Sequence, residues 1–420
     1  MGPHVGTEAE PSRVPLTVIT GVHAEHLARI ARAAADDDPQ GTALVHHDLR
    51  EIAHGVVRRH LRQGDSDQVT ALELAHGCVS CTLREDFLPL LRRLAAAPDV
   101  RRIVVQLDPS VEPEAICWAM EHVLVGESPV VEDVELRAVV AAVDLPSWLD
   151  DAGGDEPLHE RGLSGSPDDE RTVAQVAVGQ VEFADAVVFA GETDRWQQVR
   201  TEAVVDRLTP LAPTTALGRL DLPELLRRIP DNARRGEVDG PHGQLLRGQP
   251  SMETDAGVSL LLFEERRPFH PERLHQALDV LLQGVVRTRG RAWVASQPDI
   301  ALWLESAGGG MRVGHAGPWL ASQAGPQWSE LDSEQQLKAS LNWDEDYGDR
   351  MQELVVIAHE ADPGEIRQAL LGAVLTDDEI AEGQPAWRHY PDPFGEWHED
   401  PCEDPAEGEQ EPASQERRNQ

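Results

Sequence analysis

Val14-Pro15-Leu16-Thr17-Val18-Ile19-Thr20-Gly21-Val22-His23-Ala24-Glu25-His26-Leu27 decides the reading of the first half of the chain. The apolar run over 14–20 stops at a glycine, and a helical stretch follows from His23 to Ala35. Thr42-Ala43-Leu44-Val45-His46-His47 then reads as a second short strand. Strand, turn, helix, strand is how a nucleotide-binding α/β domain with a parallel sheet begins. A working phosphate turn at that place needs several glycines, a lysine for the β/γ-phosphates and a Ser/Thr for magnesium. Here one glycine remains, Gly21, with no lysine after it, and Glu25 would repel a phosphate. The pattern predicts the fold without its phosphate chemistry, and Gly21 as a relic of the nucleotide site.

Outward from this stretch, the β-branched run at 102–109 reads as a further buried parallel strand, with Asp108 before Pro109 as a turn-former. A fourth strand is expected over 136–144, a helix over 173–184 and a strand over 185–190 that ends at Gly191-Glu192-Thr193-Asp194. Segment 213–217 and a helix over 222–228 close a domain spanning 14–231, in which 153–170 reads as a flexible insertion. A polar linker, 232–255, leads to a smaller α+β domain at 256–397. Its strands are expected at 258–264, 285–295, 311–314 and 353–358, and its helices at 271–282, 363–373 and 376–381. The ends, 1–13 and the acidic 398–420, read as disordered.

Two of the four cysteines lie together in His76-Gly77-Cys78-Val79-Ser80-Cys81-Thr82-Leu83-Arg84-Glu85, just before an amphipathic run over 83–94. Cys-x-x-Cys lets two thiolates converge on one soft cation, with a helix N-terminus lowering the thiol pKa. Zinc wants four ligands, and this spacing supplies two. An ordinary buried or redox-active thiol pair is the alternative. His76 is a candidate third ligand or a loop histidine satisfied by backbone. His398 and Cys402, four apart, are spaced to face one metal across a helical turn; the alternative is an acidic tail that holds one cysteine. Cys117 sits in an apolar helical run and reads as core, while His46 and His47 end a strand at the edge where such folds place ligands.

Asp and Glu number 75 against 37 Lys and Arg, a net charge of −38, and Lys338 is the sole lysine. That balance argues against broad contact with nucleic acid, which relies on cationic side chains, and favours basic protein partners or metal cations. No apolar run reaches the ~18 residues of a membrane span. The N-terminal residues lack the apolar stretch of a secretory signal, so the cytoplasm is expected.

These motifs, in this order, resemble the CobW-type GTP-binding metallochaperones. The resemblance is carried by 14–21, by Gly77-Cys78-Val79-Ser80-Cys81-Thr82-Leu83-Arg84-Glu85-Asp86, by Val139-Val140-Ala141-Ala142-Val143-Asp144 and by Glu182-Phe183-Ala184-Asp185. In the second domain it is carried by 266–274, 284–290, Gly348-Asp349-Arg350 and Leu375-Thr376-Asp377-Asp378-Glu379. The resemblance implies a P-loop GTPase-like domain followed by a CobW C-terminal domain, with zinc at Cys78 and Cys81. Ser80 stands where the family's metal loop has its central cysteine, and in Gly191-Glu192-Thr193-Asp194 only Asp194 survives from the guanine-reading motif, so GTP is not expected as a cofactor. With the tail Phe394-Gly395-Glu396-Trp397-His398-Glu399-Asp400-Pro401-Cys402, these departures resemble one actinobacterial branch, the ribosome hibernation factor-recruiting proteins. That branch implies a zinc-responsive adaptor, not an enzyme, whose partners are a hibernation-promoting factor and the small ribosomal subunit. The alternative is a CobW-type zinc metallochaperone that still binds GTP.

Overall fold

Strands that are apolar along their whole length must be covered on both faces, and the first domain is built around that need. The computed structural model describes residues 13–74, 78–163, 169–239, 243–323 and 333–395. The first domain contains β1 (Val14–Thr20), β2 (Thr42–Asp48), β3 (Val56–Gln63), β4 (Ser66–Glu73) and β5 (Arg102–Gln106). A small hairpin of β6 (Leu124–Val125) and β7 (Ser128–Pro129) precedes β8 (Val134–Asp144), β9 (Ala186–Ala190) and β10 (Thr214–Ala216). One sheet runs β10-β9-β8-β1-β5-β2-β3-β4. It is parallel from β10 to β2, and β3 and β4 are added antiparallel.

The helices are α1 (Ala24–Asp36), α2 (Val79–Thr82), α3 (Leu88–Ala95), α4 (Pro113–His122), α5 (Trp148–Gly153), α6 (Val173–Glu182), α7 (Arg195–Leu208) and α8 (Leu222–Arg227). Successive side chains of a strand point to opposite faces, so β1 sends Leu16 and Val18 one way and Ile19 the other. Leu16 and Val18 meet Leu88 and Leu91 of α3 and Ile116 of α4. Ile19 meets Leu27 and Ile30 of α1 and shares its core with Leu225 of α8.

The second domain is an antiparallel sheet of β11 (Val258–Glu265), β12 (Val285–Trp293), β13 (Ile300–Ala307), β14 (Gly310–Pro318) and β15 (Gln352–His359), in the order β11-β15-β12-β13-β14. Its helices are α9 (Pro271–Leu278), α10 (Ser333–Asn342), α11 (Pro363–Ala373), α12 (Asp377–Glu382) and α13 (Gln384–Trp387). α9 and α11 cover one face, with Leu274, Ile366 and Leu370 against Phe263, Val356 and Ala358. The opposite face packs on the first domain, where Val258, Leu260, Val355 and Ile357 join one core with Val205 and Leu208 of α7.

The structure adds to the sequence reading at four places. The sheet of the first domain is mixed, because β3 and β4 form a polar hairpin without the apolar run that marked the parallel strands. Helix α7 and strand β13 were not legible as elements. The insertion at 153–170 is built into the fold up to residue 163: Leu158 is fully buried, and the Gly154 carbonyl accepts from Gly309 N at 2.9 Å. The linker at 232–255 is also packed, since Arg234 and Arg247 both pair with Asp239 (2.7 and 2.5 Å) and Arg207 donates to the Glu253 carbonyl. A few anchors suffice to order stretches whose composition is polar. The tail at 398–420 lies outside the described residues.

Between the domains the apolar contact ends in buried ion pairs. Glu182, closing α6, meets Arg287 at 2.6 Å and Arg289 at 3.0 Å, and Arg287 also meets Glu305 at 2.5 Å. Burial would raise the Glu182 carboxyl, but the two guanidinium groups override it and hold it at about 2. Removing one partner of a buried pair leaves an uncompensated charge. Glu182→Ala is therefore expected to destabilise the protein by about 3 kcal/mol in chemical denaturation. Because the folded pKa lies below the unfolded 4.5, the stabilisation is full above that value and is lost as pH falls toward 2. A variant with an acid-unfolding midpoint unchanged from the parent would contradict this assignment.

Candidate functional site

In parallel α/β sheets, ligands bind beyond the carboxyl ends of the strands, where neighbouring connections diverge. Here that point is the end of β1, flanked by β8 on one side and β5 on the other. The turn into α1 is only Gly21-Val22-His23, with His23 as the residue preceding the helix. Gly21 has φ +146°, and a Cβ there would sit 2.7 Å from the Ala142 carbonyl oxygen, so its glycine is required by packing against β8.

Side chains from three elements gather at this turn. His26 Nε2 lies 2.8 Å from Asp144 Oδ1, at the end of β8. Ser147 Oγ donates to Asp144 Oδ2 at 2.9 Å and lies 3.0 Å from His23 Nε2. Asp151 of α5 lies 3.6 Å from His23 and 2.9 Å from Arg161. Asp151 raises the His23 imidazole above its usual range, outweighing partial burial. Burial opposes charge on Asp151, yet His23 and Arg161 hold its carboxyl below the usual range. These carboxylates lie beside the first turn of α1, the end of a helix that favours negative charge. Sequence reading missed this cluster; the signal was Asp144 at a strand end and two histidines three apart at a helix start.

Asp194, the surviving base-reading residue, caps α7: its Oδ1 accepts from Trp196 N at 2.8 Å and Gln197 N at 3.1 Å. Asp108 accepts from Leu49 N and from both Ser110 N and Ser110 Oγ, which makes it a loop brace. His47 is committed to Asp86 at 2.8 Å, and Asp86 also to Arg59 at 2.5 Å. His46 lies 3.0 Å from the Gln106 carbonyl, and burial holds its pKa below the usual value.

The thiol pair is differently placed. Cys78 is the residue capping α2, and its Sγ accepts from Cys81 N at 3.3 Å. The two sulfurs lie 3.1 Å apart and both are half-buried. The contact with Cys78, followed by burial, pushes the Cys81 thiol up to about 11. Two thiolates on a tetrahedral zinc stand roughly 3.7 Å apart, so a small rotamer change suffices to seat the ion. Among the described residues, no three His, Cys, Asp or Glu side chains are arranged to hold a metal. His76, His398 and Cys402 lie outside the described residues. Cys117 is buried in the core, its thiol pushed up to about 12 by burial. Among the described residues, no helix is long and apolar enough to cross a membrane.

A mixed α/β sheet with a closed phosphate turn, joined to an antiparallel α+β domain, defines a nucleotide-binding-type scaffold. Residues 30–216 match the CobW/HypB/UreG nucleotide-binding domain, and residues 258–374 match the cobalamin synthesis protein cobW C-terminal domain. The chain is 46% identical over 372 residues to the zinc chaperone Rv0106 of Mycobacterium tuberculosis, covering 86% of this chain and 89% of that protein. It is 28% identical to the zinc-regulated GTPase metalloprotein activator 1 of Dictyostelium discoideum, covering 78% of this chain and 71% of that protein. A Zn(II)-bound YjiA GTPase from E. coli aligns over 87% of this chain and 100% of that chain, at 14% identity and a TM-score of 0.36. The chain belongs to the CobW family. The match to the nucleotide-binding domain begins at residue 30, after Gly21 and the first turns of α1.

Two outcomes are expected from this geometry. The purified protein with GTP and magnesium releases no phosphate above a protein-free control. Asp194→Ala lowers thermal stability by about 1 kcal/mol through the lost cap and leaves any residual nucleotide binding unchanged, measured by calorimetry. GTP turnover that disappears in Asp194→Ala would contradict both.

Proposed function

We propose that the protein is a CobW-type zinc-handling protein in which Cys78 and Cys81 take the metal and nucleotide no longer drives the cycle. The observation that carries this reading is the pair of half-buried sulfurs at the start of α2, 3.1 Å apart. Zinc is the cargo, and the relatives named as zinc chaperones and a zinc-regulated activator support that choice. The remaining ligands come from His76, from the tail residues His398 and Cys402, or from the recipient of the ion. The Cys81 amide donates to Cys78 Sγ at 3.3 Å and so fixes that sulfur at the start of α2, beside its partner.

A second reading keeps the same metal pair on an adaptor that brings a hibernation-promoting factor to the small ribosomal subunit. Its support is the phosphate turn filled by His23, His26 and Asp144, which leaves a scaffold without a nucleotide engine, together with the −38 charge suited to basic partners. Direct binding of the purified protein to the factor, to small subunits and to naked ribosomal RNA tests it; tight binding to RNA alone would count against it.

For the zinc reading, equilibrium competition against a chromophoric chelator is expected to give one zinc per chain in the parent. The double variant Cys78→Ser with Cys81→Ser loses it. Cys81 must shed a proton whose folded pKa is raised to about 11, so affinity falls steadily as pH drops below that value. Equal zinc affinity in parent and double variant would overturn the assignment.

A further inference from the structure

One face of the C-terminal sheet carries apolar residues past the end of the domain interface. On β11, Val258 and Leu260 are buried against the first domain, but Leu262, next on the same face, is 38% exposed. Leu262 pairs across the sheet with Val355, and Glu264 pairs with Glu353. Opposite them stands α10, which buries Ala339 but leaves Leu337 and Leu341, one turn apart, 62% and 76% exposed. Between α10, this part of the sheet and Leu245–Leu246 runs an open groove of about 360 Å³.

The charges in the groove specify what fits. Glu264 and Glu353 face each other directly across two strands, an unfavourable like-charge pair. Glu353 is answered by Arg291, whereas Glu264 makes no ion pair among the described residues. We propose that this groove docks a basic amphipathic helix of another protein, its apolar face on Leu262, Leu337 and Leu341 and a cation at Glu264. A second copy of this chain fits poorly, since each copy carries −38. The chain's own tail beyond 395 fits poorly too: it is acidic, and Trp397 is its one large apolar residue. An apolar patch rimmed by unanswered carboxylate is complementary to an apolar stripe flanked by Lys or Arg. The proposal stands apart from the zinc reading, and it would give the adaptor reading its contact surface.

The test uses the full chain and a fluorescein-labelled 18-residue peptide with leucines at helical i, i+3, i+4 and i+7 spacing and lysines elsewhere. Fluorescence anisotropy is expected to detect binding that Leu337→Ser and Leu341→Ser each weaken about ten-fold. Glu264→Gln weakens binding less and flattens its salt dependence. Cys78→Ser with Cys81→Ser leaves it intact, which separates failure here from failure of the metal site. A composition-matched scrambled peptide that binds equally well, or binding indifferent to the leucine variants, would mean attraction to overall charge only and would overturn the proposal. So would a sedimenting dimer that Leu341→Ser dissociates, because the groove would then belong to a second copy. Absent peptide binding, with a melting temperature lowered by Leu341→Ser, would mean that the exposed leucines serve the chain's own packing and would equally overturn it.

Discussion

Asp144, bonded to His26 at 2.8 Å, ties the end of β8 to the first turn of α1 and fixes the corner beside Gly21. The end of β1 and the start of α1 form an electropositive corner, because helix N–H groups there lack partners within the helix. A family member that binds nucleotide fills the corner with phosphate, magnesium and a lysine. In this chain the carboxylates of Asp144 and Asp151 stand beside it, in contact with His23, His26 and Arg161 and bridged by Ser147. These contacts tie strand, turn and helix together in a chain whose turn lacks the lysine and the further glycines of that motif. Gly21 is retained for the same structural reason, since the Ala142 carbonyl leaves no room for a Cβ.

The domain interface follows a comparable logic at a larger scale. Apolar residues of β11, β12 and β15 share a core with α6 and α7, and Glu182 fixes the position of β12 through Arg287 and Arg289. Apolar area resists separation of the two surfaces but tolerates sliding, whereas a buried carboxylate between two guanidinium groups has one good geometry. The two domains therefore meet in a defined register, and the apolar face of β11 emerges at a defined edge. The groove beside α10 is a consequence of where that register ends.

Much of this was legible in the sequence because apolar runs announce buried strands. Val14–Thr20, the valine-rich end of β8 and Ala186–Ala190 needed no structure to be recognised. The β3–β4 hairpin was not legible, since arginine, glutamine and aspartate dominate its exposed edge strand and turn. Helix α7 was passed over because its polar residues, Arg, Gln, Glu, Asp and Thr together, outnumber its apolar positions, and its burial depends on the second domain. Cys78 and Cys81 were found from spacing alone, and the structure brings their sulfurs together. His23, His26, Asp144 and Asp151 were invisible as a set, because they come from three elements and no motif links them. Asp194, the position that the resemblance carried over from the guanine-reading motif, has a structural role of its own as the cap of α7.

Net charge and ligand chemistry make separate contributions to any cation this protein handles. A charge of −38 raises the local concentration of every cation, magnesium and calcium included, and salt screens the effect over ~8 Å at physiological ionic strength. It cannot select among them, because exposed carboxylates are hard ligands suited to magnesium and calcium. Selection for zinc has to come from soft donors, and Cys78 and Cys81 are the half-buried thiols among the described residues, Cys117 being sealed in the core. Two thiolates supply two of the four positions that a tetrahedral zinc fills. If a recipient supplies the others, the pair has the chemistry of hand-over; if His76, His398 and Cys402 supply them, zinc is held as part of the fold, and in either case the acidic surface acts only as the approach.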